Sequence, residues 1–174
     1  MKVLLWLFGI LALVVVGGYI VLFTAIGNST LKLIVEEKIN NATNLNSKFK
    51  IFSISFSEFE IDLALDTQNS VYAKGNYSLA DQSFDFVYDV KLEKLEYLNE
   101  LTKKKLQGPL YTSGTVNGDA YFIRIDGISD VALSDTKYHI ELKDFKPSAI
   151  IAQMNNADLA ALLTLTNNKH YADA

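Results

Sequence analysis

The chain runs to 174 residues with a net charge of -4, 49% hydrophobic residues and no cysteine. Disulfides and thiolate metal sites are therefore excluded, and the acidic balance argues against a nucleic-acid partner, whose phosphates call for a basic face. The one basic cluster, Lys103-Lys104-Lys105, reads as a solvated helix end.

The first feature in chain order is apolar. No residue from Val3 to Ile26 is charged, a run of 24 residues. At about 1.5 Å per residue it reaches roughly 36 Å, more than a hydrocarbon core of about 30 Å. A secretory signal would carry an apolar region of only about 7 to 15 residues. Residues 1–28 are therefore expected to form a cytoplasmic tip and a transmembrane anchor in contact with the membrane through residues 3–26. Residues 29–174 are expected to form one exported domain, long enough to bury a sizeable core.

After Gly27, Leu31, Ile34, Val35, Ile39, Ala42 and Leu45 recur near helical spacing, which predicts a short amphipathic helix with Ser29 or Thr30 as its N-cap. The period then changes from 3.6 to 2. The stretch "KFKIFSISF" alternates with a slip between Ile51 and Phe52, which predicts a bulge there. In "FSEFEIDLALD" Phe59, Ile61 and Leu63 share one face and Glu60 and Asp62 the other. "VYAKGNYSL" gives a strand interrupted by Gly75, and "FDFVYDVKLE" gives one with Phe84, Phe86 and Tyr88 on its apolar face. Leu92, Leu95, Leu98 and Leu101 predict a helix that ends at Gly108-Pro109.

Asn117-Gly118 predicts a two-residue type I′ turn, after which Tyr121, Ile123 and Ile125 share a face. In "ALSDTKYHIELKDF" Tyr138, Ile140 and Leu142 alternate with polar residues. Pro147 then predicts the first turn of a helix running to about Leu165, broken near Asn155-Asn156. "YDVKLEKL" and "YHIELKDF" match in pattern 50 residues apart, which suggests a repeated unit. On that repeat the chain stops where a further strand is expected, as a fragment or short form would. The fold class is α+β: an amino-terminal transmembrane helix, then antiparallel amphipathic strands forming a curled sheet or groove, covered by two or three helices.

The residues name no reaction. His139 falls on the polar side of its strand, and no nucleophile with an orienting acid is evident beside it. Glu58, Glu60 and Asp62 form a row on a solvated strand face, without the further ligands a metal or glycosidase site needs. Arg124 is read as a cross-strand partner of an acidic residue, with contact to an anionic head group as the alternative. No catalytic, cofactor-binding or metal-ligating residue is assigned, and the chain is not expected to be an enzyme.

The leucine-rich helix ending in Leu106-Gln107-Gly108, the "SGTVNGD" turn and the "KDFKP" leading into a helix give, from Leu92 to Ala174, an order of features that resembles the carboxy-terminal region of bacterial AsmA-like proteins, the group related to the translocation and assembly subunit TamB. The larger members are many times longer than this chain. The resemblance implies an inner-membrane anchor, a periplasmic β-rich body around an apolar groove, and a role with phospholipid in outer-membrane biogenesis, in the company of envelope-assembly proteins. The expected groove lining is Phe59, Ile61, Leu63, Phe84, Phe86, Tyr88, Tyr121, Ile123, Ile125, Tyr138, Ile140 and Leu142. The alternative is a closed periplasmic domain that buries these faces and acts by protein contact, as an assembly factor or sensor partner.

Overall fold

The computed structural model describes residues 23–43, 46–99 and 107–165. The expected span before residue 23, the leucine-rich segment over 100–106 and the tail beyond 165 lie outside them. Among the described residues no helix is long and apolar enough to cross a membrane.

Alternation of apolar and polar residues produces one antiparallel sheet in which every strand pairs with its sequence neighbours. Its strands are β1 (Lys48–Ile54), β2 (Glu58–Ala64), β3 (Ser70–Ser78), β4 (Ser83–Leu92), β5 (Leu110–Asp119), β6 (Phe122–Ser129), β7 (Asp135–Lys143) and β8 (Lys146–Asn155), in that spatial order. Before them stands α1 (Ala25–Thr43), and after them α2 (Leu159–Leu165). The one described helix packed on the sheet is α1, where two or three were expected.

The register corrects several expectations. The bulge in β1 lies between Phe49 and Ile51, so Lys50 and Ile51 both face out and Phe49 and Phe52 both face in. Asn117 and Gly118 are not a turn but ladder positions, opposite Arg124 and Ile123. The chain reverses at Ala120-Tyr121, because Asp119 Oδ1 accepts the N–H groups of Tyr121 at 2.7 Å and Phe122 at 2.8 Å. Leu95–Leu98 forms a single 3-10 turn, and Leu95 N–H donates to Gly108 O at 2.9 Å where the chain returns to the sheet.

The largest departure is β8, expected as a helix from Pro147. Asp144 and Phe145, with φ of 48° and 60°, make the tight left-handed turn that hairpins prefer. Pro147 then sits near the start of an edge strand, beside a register shift, where its missing N–H leaves no ladder bond broken. The second copy of the suspected repeat is thus followed by a strand, whereas the helix expected after the first lies mostly outside the described residues, beyond the 3-10 turn at Leu95–Leu98. β4 and β7 are three strands apart in a meander and so run in opposite directions.

α1 begins earlier than expected. Gly27 N–H donates to Thr24 Oγ1 at 3.3 Å, which makes Thr24 the capping side chain. Ser29 and Thr30 instead donate back to the carbonyls of Ala25 and Ile26, at 2.8 and 3.1 Å. One stripe of α1 runs along the outer edge of β1. Asn28 Oδ1 accepts Ile54 N–H at 2.7 Å while its Nδ2 donates to Ile54 O at 2.8 Å. Glu36 Oε1 accepts Phe49 N–H at 2.6 Å, and Asn40 Oδ1 accepts Ser47 N–H at 2.7 Å. Val35 and Ile39 pack on the buried cluster of Phe49, Leu63, Leu65, Leu92 and Leu95. Asn28→Ala should therefore leave both polar groups of Ile54 without partners and cost about 1–3 kcal/mol, read as a fall in the denaturant midpoint.

Candidate functional site

Because all seven pairings are antiparallel, residues opposite one another share a face, and the ladder can be followed from edge to edge. One row reads Ile54, Phe59, Gly75, Phe86, Val116, Ile125, Ile140, Ile150. A second reads Phe52, Ile61, Ala73, Tyr88, Gly114, Gly127, Tyr138, Ala152. Beside them, Phe84 continues through Gly118 and Ile123 to Leu142, and Leu63 through Val71 to Val90. Eleven of the twelve expected lining residues thus fall on one apolar face. Tyr121 does not, since it occupies the β5–β6 turn and is 70% exposed.

Cover is uneven along this face. Leu63 lies in the cluster under α1, and Ile123 is also buried. Phe59, Ile61, Phe84, Phe86, Tyr88, Ile125, Tyr138, Ile140 and Leu142 are half-buried. Phe59 meets Phe86 edge-on at 5.5 Å, and Phe84 lies 5.9 Å from Phe86, so an aromatic patch forms across β2 and β4. No described helix or second sheet packs over β4 to β8 as a layer.

Within the face, Tyr88 and Tyr138 reach toward each other across two intervening strands and their hydroxyls meet. Thr112 Oγ1 joins them, 2.5 Å from the Tyr138 hydroxyl, and donates to Ile128 O at 2.9 Å. The rings have room because Gly114 and Gly127 oppose one another beneath them. A Cβ at Gly127 would stand 2.5 Å from the Tyr138 ring and hydroxyl and 2.6 Å from the Tyr88 hydroxyl. Burial, and then the Tyr138 hydroxyl, push the Tyr88 phenol well above its ordinary pKa, so it stays a neutral hydrogen-bonding group. The two tyrosines hold equivalent places in the 50-residue match, which was the one sequence signal for this pair.

The charged side chains occupy the opposite face as cross-strand pairs. Lys74 Nζ donates to Glu60 Oε2 at 3.1 Å, which lowers the Glu60 pKa and raises that of Lys74. Arg124 faces Glu141 at 4.0 Å, the acidic partner expected of it. His139 stands between Asp126 Oδ1 at 2.6 Å and Glu141 Oε1 at 3.3 Å. Glu58 and Asp62 are not gathered around Glu60, and among the described residues no group of three metal-ligating side chains occurs. A cavity of about 730 Å³ opens at one end of β4–β7, beside Asp89, Lys91, Tyr111, Ser113 and Lys137. None of the twelve expected residues lines it, and it joins acids, lysines and hydroxyls. There the Glu93 carboxylate pushes the Tyr111 phenol up to about 12, so it stays protonated at neutral pH.

No family model, curated protein or solved structure matches the chain.

Two outcomes follow from this geometry. Gly127→Ala should destabilise the fold by about 1–3 kcal/mol through overpacking, and by less in a Tyr138→Ala background, a coupling that a double-mutant cycle measures. Hydrogen bonds from Asp126, then Glu141, raise the His139 pKa above 6.5, so its stabilising contribution is full below pH 6.5 and fades as pH rises through the raised value. The His139 ring signals in an NMR titration should show a midpoint above 6.5 that Asp126→Asn brings down.

Proposed function

We propose that this chain is an AsmA-like, membrane-anchored envelope protein that binds phospholipid acyl chains on the apolar face of its sheet and helps to move them, without catalysing a reaction. The observation that carries the reading is the set of apolar rows crossing all the strands, with α1 packed at one end only. A face of this kind must be covered by a helix, a second sheet or lipid tails. Tails supply cover at about 0.8 kcal/mol for each buried methylene and need no reactive group. The uncharged run from Val3 to Ile26 would hold the face close to a source of lipid, with the amino terminus in the cytoplasm and the sheet in the periplasm. The resemblance of residues 92–174 to AsmA-like proteins adds to this reading through the sequence alone, since two of its features, the turn at Asn117-Gly118 and the helix after Pro147, are strand here.

A photoreactive phenylalanine at Ile125 or Ile140 of the full chain, irradiated in bacterial membranes, tests it. Phospholipid-mass adducts are expected at both positions and not at Lys74 or Thr115 on the polar face. Adducts only with protein at Ile125 and Ile140, or none at all, would overturn the lipid reading in favour of a domain that acts by protein contact.

A further inference from the structure

The two edges of the sheet are treated differently. On β1 the outward groups of Ser47, Phe49 and Ile54 are bound by α1. On β8 nine of ten residues are exposed, on both faces, including Ile150 at 65% and Ile151 at 63%. α2 does not close this edge: it packs at the turn Val131–Leu133, where Asp158 N–H donates to Ala132 O at 3.0 Å. From Pro147 to Ala157 there is no charged side chain, so the usual protection of an edge strand is missing where the strand is most apolar.

We infer that β8 is a pairing edge for a second copy of the same chain, the two strands running antiparallel about a two-fold axis at Ile151. An isologous contact requires a surface that is complementary to itself, and an uncharged strand meets that condition on its backbone. With the axis at Ile151, Ile150 of one copy lies opposite Ala152 of the other on the apolar face, large against small. On the polar face Ile151 meets Ile151 and Ala149 meets Gln153. The Lys146 end of each strand comes to the Asn155 end of the other, where Asp135 and Asp158 supply the opposite charge. The axis is perpendicular to the sheet, so both apolar faces look to the same side. The row that ends at Ile150 continues into the second copy, and two chains anchored in one membrane can turn both faces toward it.

The chain has no cysteine, so single cysteines report the contact in the full chain in its membrane. Under mild oxidation, Ile151→Cys should give the highest yield of disulfide-linked dimer. Ala149→Cys and Gln153→Cys should cross-link well with each other when co-expressed and poorly each with itself, which fixes the register. Ile151→Lys, an exposed change that leaves the core intact, should remove most of the dimer that an amine-reactive cross-linker traps in the unsubstituted chain. Dimer at Thr115→Cys equal to that at Ile151→Cys, cross-linking of β8 only to other proteins, or no dimer at any β8 position would overturn the proposal. So would an unchanged dimer yield in the Ile151→Lys chain.

Discussion

The structure depends on how a single sheet satisfies the backbone groups at its borders. A meander of eight strands gives each interior strand a partner on both sides but leaves a row of backbone groups open at each border. At β1 the row is met by side chains from a helix. Asn28, Glu36 and Asn40 lie four or eight residues apart on α1, and four helical residues rise about 6 Å. Two strand residues rise about 6.7 Å, so a helical stripe at this spacing keeps pace with alternate N–H groups of a strand. α1 thereby stands in for a ninth strand while its other side chains, Val35 and Ile39, close the buried cluster.

Fixing β1 in this way also sets the face on which everything else lies. A slip of one residue would exchange the apolar and charged faces of every strand, and the bulge at Lys50 is where β1 absorbs its mismatch. From there the pairing carries the same phase to Ile150 without a further irregularity until the shift between Glu141 and Leu142. The glycines opposite one another in β5 and β6 belong to the same design. They remove side chains from the middle of the apolar face, and Tyr88 and Tyr138 lie over the gap, hydroxyl to hydroxyl. Tyrosine suits this place because its ring covers backbone and its one polar atom finds a partner.

Much of this was legible in the residues, and the misses share a cause. β2, β4 and β7 alternate between apolar and polar residues with few exceptions, such as Val87 on the charged side of β4, and the strands follow the pattern. The face shared by Phe59, Phe86, Ile125 and Ile140 could be read from each strand separately, and so could the pairing of Arg124 with an acid. "SAIIAQM" could not, because a run with adjacent isoleucines has no period of two, and proline opens a helix as readily as an edge strand. Its fate was decided by Asp144 and Phe145 adopting a left-handed turn without glycine, which local preference disfavours and strand pairing imposes. The Asn117-Gly118 signal failed for a related reason. The carboxylate of Asp119 caps a turn two residues later, and Gly118 is used in the ladder opposite Ile123. The edge-capping role of Asn28, Glu36 and Asn40 left no trace in hydropathy, since polar residues on a helix read as its solvent side.

The separation of charge from apolar surface bears on the ligand proposed for this sheet. Reactive acids and bases are tuned by desolvation in a low-dielectric site, and here the carboxylates, lysines, arginine and histidine of the strands sit on the face that carries the ion pairs. His139, the group best suited to proton transfer near neutral pH, is held between two carboxylates on that side, away from Ile125 and Ile140. On the apolar side the polar atoms of the central strands are hydroxyls: those of Tyr88, Thr112 and Tyr138 spend their hydrogen bonds on one another and on Ile128 O, and those of Ser129 and Thr136 on Tyr111 O and Ser134. What that side offers a ligand is area and shape. A molecule gains from it in proportion to its own apolar surface, which favours a long flexible chain over a compact polar substrate. Extending the sheet through a second β8 would lengthen the surface without adding a charge to it, because the strand that forms the junction carries none between Pro147 and Asn155.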